Sequence, residues 1–312
     1  MTAVLRILER TRNDESLVSG FILGRPPGTQ RVYAGEVRTF LRWANKPAQH
    51  VQSKDYRGYI QSCRDQELKP ATIHKKAVIV KAFYGFLLRE GELTEDPLAL
   101  VETPPCPPPG KPRGLTPENA KEFFAATAGH SMAALRDRAM FLLMAATGLR
   151  ISEVCGLSAR DVGDADEKDW NALRVVGKGQ KEREVHVSPD VWTVVVAYLQ
   201  RRQDELREQV PLFAATRRAK PIRPLAPDMR LSVSSVYERF KRLAKKAGLP
   251  EEFSPHSLRH FFACEADAAG ASVEAIRLAL GHAGLGTTQK YLNRMRRGIN
   301  EAFAKAKMPK LI

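Results

Sequence analysis

Apolar residues recur along most of this chain at three- and four-residue steps, the spacing of a helix with one buried face. Residues 29–44 set Val32, Val37, Phe40, Leu41 and Ala44 near one face, with Tyr33 and Trp43 flanking it. Residues 71–90 repeat the pattern through Ile73, Ala77, Val80, Phe83, Tyr84 and Leu87, just after Pro70 and with Thr72 as the candidate N-cap. Further on, Thr116-Pro117 combines an N-cap hydroxyl with proline at the first helical position. Residues 136–147 are so apolar that they predict a buried helix, ending at Gly148, with another beginning near Ile151 and Arg150 at the break. Helices are also predicted over 189–208, 232–247, 257–268 and 273–280. Residues 173–187 alternate instead: Val175-Val176 run into Gly177-Lys178-Gly179-Gln180-Lys181, and Val185-His186-Val187 return, predicting a hairpin.

Residues 103–114, TPPCPPPGKPRG, hold six prolines and two glycines. Proline fixes φ and removes backbone donors, so this stretch reads as an extended linker. The expected organisation is a helical N-terminal bundle over 1–102, a linker over 103–114, and a mainly helical α+β domain with one small sheet over 115–312. Residues 305–312 form a basic tail, and 198–232 carry no identifiable motif.

Composition narrows the partners. The 312 residues are 43% hydrophobic, without an apolar run long enough for a bilayer span. The first twelve residues lack a signal core, so a cytoplasmic protein without membrane attachment is expected. Cys63, Cys106, Cys155 and Cys264 form no CxxC pair, and Cys155 and Cys264 read as small core residues. The net charge is +15, with a pI of about 9.8, and both sides of the linker are basic. Such an excess favours a polyanion, although a ribosome-associated protein would share it. Arg31, Arg38, Arg42, Lys75, Lys76 and Lys81 would decorate the outside of the first bundle, facing either phosphates or water.

Three clusters carry chemistry: Ala146-Thr-Gly-Leu-Arg-Ile-Ser-Glu153, Pro255-His-Ser-Leu-Arg-His260, and Leu280-Gly-His282 followed by Thr287-Thr-Gln-Lys-Tyr291. Paired arginines suit a phosphodiester under attack, since each presents a rigid, permanently charged fork of donors. His256 and Arg259, three apart on a helix, share a face. Each group has another reading. Arg150 could simply pair with Glu153. His256, His260 and His282 could hold zinc, though no Glu stands where an HExxH site places its base. Tyr291 could anchor a C-terminal helix.

TGLRISE, GKGQKER, HSLRH, LGH and TTQKY occur in the order and at the intervals of the tyrosine recombinase, or phage integrase, family. The resemblance runs from about Thr29 to Ala306 and is nearest the simple Xer-like members, with no room before Thr29 for an arm-binding domain. It implies a SAM-like N-terminal domain that grips DNA and a tyrosine-recombinase catalytic domain. Position by position, it implies that Arg150, Arg259, His256 and His282 bind and activate the scissile phosphate. Lys178 would protonate the leaving oxygen, with Lys181 as its competitor, and Tyr291 would be the nucleophile. Glu153 and His260 would support them. It further implies action on double-stranded DNA at a specific site, through a 3′-phosphotyrosine and a Holliday junction, without metal or cofactor. The acting assembly would be a homotetramer, or a heterotetramer with a second recombinase. One departure is Phe262-Ala263-Cys264, where many members carry a small residue and threonine. The rivals are a non-cutting DNA-binding protein of the same fold and a zinc hydrolase.

Overall fold

The computed structural model describes residues 3–108, 114–165, 171–177, 182–202, 209–215 and 229–281, with the backbone alone for 3–12 and 164–165. The chain divides into two compact units, Met1–Pro109 and Gly110–Ile312.

The first unit is helical: α1 (Ala3–Ile22), α2 (Pro27–Ala44), α3 (Ser53–Asp65) and α4 (Pro70–Arg89). Both α2 and α4 open on proline, whose missing N–H would have no intrahelical partner there. Proline also fixes where α4 begins: its N-cap is Lys69, and Thr72 lies inside the helix rather than capping it. Phe21, Val37, Phe40, Tyr56, Ile73, Ala77, Val80, Phe83, Tyr84 and Leu87 form the core. Val32 stands outside it, 37% exposed, because five residues place it about 140° around the helix from Val37. Trp43 is also largely exposed and lies over Gly58 and edge-on to Tyr59.

Helix α3 escaped the periodicity reading because its sequence, SKDYRGYIQSCRD, is mostly polar. Its buried stripe is only Tyr56, Tyr59, Ile60 and Cys63. Of the cations expected on the outer surface, Arg31, Arg42 and Lys75 are exposed. Lys76 is half-buried and paired with Glu36 at 2.6 Å, Lys81 donates to Val101 O, and Arg38 pairs with Glu15.

The second unit comprises α5 (Pro117–Ala126), α6 (Met132–Thr147), α7 (Ile151–Gly156), β1 (Val162–Ala165), β2 (Asn171–Val176), β3 (Glu182–Val187), α8 (Pro189–Arg202), α9 (Val233–Lys246), α10 (Pro255–Ala268) and α11 (Val273–Leu280). Thr116 caps α5, its hydroxyl accepting from Asn119 N at 3.2 Å. Apolar on nearly every side, α6 is buried among α8, α10 and β3. The sheet is antiparallel in the order β1-β2-β3, with Leu173 opposite Val185 and Val176 opposite Glu182. Leu173, Val175, Val185 and Val187 turn inward. Strand β1, VGDA, was not foreseen; it is short and its pairing slips between Val162 and Ala165.

Buried charge fixes the frame around α6. Arg136 is completely buried and donates to Asp137 and to Ala214 O, while Arg239 reaches the other oxygen of Asp137. Arg230 donates to Gly156 O and Leu157 O and to the Ser158 hydroxyl, satisfying carbonyls left open at the end of α7. Cys155 and Cys264 are buried, as expected. No described helix is long and apolar enough to cross a membrane.

Candidate active site

The break between α6 and α7 sets the first cationic side chain. Gly148 ends α6 at φ +66, and its N–H returns to Met144 O. A Cβ at Gly148 would fall 2.6 Å from Phe262 Cδ1 and 2.7 Å from Leu280 Cδ2. The position therefore needs glycine for close packing as well as for its dihedral angle. Phe262, the departure noted above, is the side chain that covers this turn.

Arg150 follows as the N-cap of α7. Glu153, three residues on, accepts from Arg150 N at 2.8 Å and from Arg150 Nη1 at 3.0 Å. The salt-bridge reading of this pair is thus correct as geometry. It does not consume the side chain, because Arg150 Nη1 also approaches Leu280 O at 3.4 Å.

Pro255 opens α10, which places His256 in its first turn and Arg259 one turn further on. Arg259 is 1% exposed and donates through Nη1 to Gly148 O at 2.6 Å and through Nη2 to Leu280 O. Two guanidiniums far apart in sequence therefore meet at one carbonyl, that of Leu280 at the end of α11. Gly281 follows at φ +60, closing α11 in the left-handed conformation. The LGH motif thus begins as a helix terminus whose last carbonyls receive arginines.

His256 reaches the surface, while His260 stands one turn below it, their rings edge-on with centroids 4.9 Å apart. Partial desolvation, then the charges of Arg259 and Arg150, hold the His256 imidazole below its ordinary value. Burial pushes His260 down to about 3, with the neighbouring His256 and Arg259 adding to it. Both rings are accordingly neutral at neutral pH. Burial would raise the Glu153 carboxyl, but hydrogen bonds from Arg183 and from the Arg150 backbone overcome it and hold the group below the usual range.

Of the sequence candidates, the structure brings together Arg150, Glu153, His256, Arg259 and His260. Lys178, its competitor Lys181, His282 and Tyr291 lie outside the described residues. Two neighbours were missed. Arg183 binds Glu153 through both terminal nitrogens, and Arg230 holds the end of α7. Arg183 lies within the GKGQKER block and could have been weighed there. Arg230 lies in a stretch without a motif, where no local pattern marks it.

Comparison with known proteins places the chain in a family. Residues 113–297 match the Phage integrase family, and residues 24–91 match the Phage integrase N-terminal SAM-like domain. A tyrosine recombinase XerD of Lacticaseibacillus casei is 32% identical over 84% of this chain and 86% of its own length. A tyrosine recombinase XerC of Myxococcus xanthus is 30% identical over 93% of this chain and 94% of its own. In fold, the chain resembles a lambda integrase dimer bound to a COC' core site, with a TM-score of 0.72 at 18% identity over 93% of this chain and 96% of that one. It also resembles the XerH site-specific recombinase bound to difH substrate, with a TM-score of 0.67 at 19% identity over 86% of this chain and 78% of that one. The catalytic-domain match covers more than half of the chain and includes every residue of the site, so the protein belongs to the phage integrase family of tyrosine recombinases.

Proposed function

We propose that this chain is a site-specific DNA recombinase that cuts and rejoins duplex DNA through a covalent bond to Tyr291. The observation that carries the reading is the meeting of Arg150 and Arg259 at Leu280 O, with His256 on the same helix face as Arg259. Preorganised guanidiniums stabilise the charge that grows on the oxygens of an attacked phosphate. A tyrosine hydroxyl ordinarily titrates near pH 10, so it needs both that electropositive setting and a base. A neutral His256 is in the protonation state a base requires.

In the proposed step, the Tyr291 oxygen attacks the scissile phosphorus and its proton passes to His256. The bond from phosphorus to the 5′ oxygen breaks, and Lys178 supplies the proton that the leaving oxygen takes. A 3′-phosphotyrosine and a 5′ hydroxyl result. Attack by the 5′ hydroxyl of a partner strand reverses the step and restores one phosphodiester for each one broken, so no external energy source is consumed. The net charge of +15 supports a DNA partner. Family membership supports a tetramer of this chain, or of this chain with a second recombinase, passing through a Holliday junction in the cytoplasm.

The test is covalent capture. Full-length protein is incubated with fragmented genomic DNA from its own host, denatured in detergent, and the attached DNA is sequenced. A detergent-stable adduct at one recurring sequence is expected, unaffected by chelators and absent with Tyr291→Phe. Absence of any adduct with the wild type, an equal yield with Y291F, or loss on chelation would overturn the reading.

A further inference from the structure

Arg183, on β3 opposite Val175 and 13% exposed in its side chain, touches α7, which Arg150 caps, and α11, which runs up to His282. Its Nη1 donates to Glu153 Oε1 at 3.0 Å and its Nη2 to Glu153 Oε2 at 2.8 Å. Its Nε donates to Ala279 O at 3.2 Å, in the last turn of α11. Glu153 is only 6% exposed and also accepts two hydrogen bonds from Arg150. Together these contacts close a ring: α11, Arg183, Glu153, Arg150, and back to α11 through Leu280 O.

We infer that Arg183 is a positioning residue for DNA cleavage, acting through Glu153 to aim Arg150 and through Ala279 to place the helix end that precedes His282. The assignment rests on the recombinase reading above. A buried carboxylate draws donors to all its lone pairs. Four hydrogen bonds occupy Glu153, two of them from Arg183. Without Arg183 the vacated positions would compete for the other N–H groups of Arg150, drawing its guanidinium back toward α7 and away from a bound phosphate. The same side chain crowds Gly281, whose φ of +60 already favours glycine, since a Cβ there would fall 3.1 Å from Arg183 Nη1 and push the guanidinium. The role needs arginine. A lysine ammonium presents no planar fork, and one nitrogen cannot serve both Glu153 oxygens and Ala279 O in this geometry. Because Arg183 lies on β3, the ring also ties that strand to Arg150.

The experiment measures single-turnover adduct formation on a nicked duplex carrying the captured sequence, alongside duplex affinity and thermal melting, for wild type, R183K, R183Q, E153Q and E153Q/R183Q. Loss of an outer contact that orients a catalytic group commonly lowers activity about 10–100-fold. Arg183→Gln should slow cleavage in that range while duplex affinity changes by less than about threefold, the pattern of a lost transition-state interaction. Arg183→Lys should also be slow, and it carries the test if R183Q does not fold, because it keeps the charge balance around Glu153. The double variant should be no slower than R183Q alone, since the two residues act as one unit. Wild-type rates in R183K, multiplying losses in the double variant, or affinity and melting temperature falling in step with the rate would overturn the assignment. A wild type that forms no adduct overturns the recombinase reading itself; a cutting wild type with unimpaired Arg183 variants overturns only the role of Arg183.

Discussion

Glu265 lies on α10 beyond the arginine and histidines of the site. It is 2% exposed, and among the described residues neither of its carboxylate oxygens has a hydrogen-bond partner. Burial, with Glu118 nearby, pushes its carboxyl up to about 7. The folded state therefore holds this proton more tightly than the unfolded chain, whose value is near 4.5. Its contribution to stability is fully present below that unfolded value and is lost as the pH rises through about 7. Glu265→Gln removes the ionisation. Its stability should equal that of the wild type near pH 4 and exceed it by about 3 kcal/mol at pH 8. Denaturant unfolding at the two pH values checks this; a constant difference between the proteins would refute it. His256 and His260 act with the opposite sign. Their lowered values mean that acid favours the unfolded chain below about pH 6.5. The sequence marked both histidines through their spacing, whereas nothing in the sequence distinguishes Glu265 from an exposed helical glutamate.

At the level of elements, the site is assembled from helix ends rather than helix faces. The α6 terminus at Gly148, the α7 start at Arg150, the α10 start at Pro255 and the α11 terminus at Gly281 meet there. Helix ends leave backbone groups unsatisfied, and Arg259 joins two of them by donating to Gly148 O and Leu280 O. Gly148→Ala should therefore weaken the domain twice over, through strain at φ +66 and through overlap with Phe262 and Leu280. A loss of about 2–4 kcal/mol is expected by chemical denaturation, and Phe262→Ala in the same chain should recover part of it by making room. A loss under about 1 kcal/mol would show that the turn relaxes without cost. Proline and glycine punctuation made these ends legible: the Gly148 stop, the Pro117 start and the span of α11 all lie where local pattern placed them. The starts of α2 and α10 came two residues earlier than periodicity suggested, and that of α4 one residue earlier, because the helix begins before its apolar stripe does.

At the scale of the whole molecule, basic charge is spread over both compact units. If the N-terminal domain also grips DNA, as the family resemblance implies, the isolated fragment 114–312 binds duplex DNA with a weaker salt dependence than the full chain. Each phosphate contact contributes about 0.9 to the slope of log affinity against log salt. The fragment's slope should be shallower by at least about 2, measured by titration over a range of salt concentrations. Equal slopes would confine the DNA contact to the second unit.

The helices with a clear apolar stripe, the single hairpin, the proline-rich stretch and the family's motifs were determined by the sequence alone, because each depends on short-range spacing or on residues that restrict their own backbone; α1 and the mostly polar α3 were not. Tertiary structure decided what depends on long-range contact. It shows that Lys76 and Lys81 serve intramolecular partners, that VGDA becomes a third strand, and that Arg136 and Arg230 hold the frame. It also converts Arg150 and Arg259 from residues of two separate motifs into donors to one carbonyl. Spacing can place a side chain on a helix, but only packing brings the ends of four helices to one point.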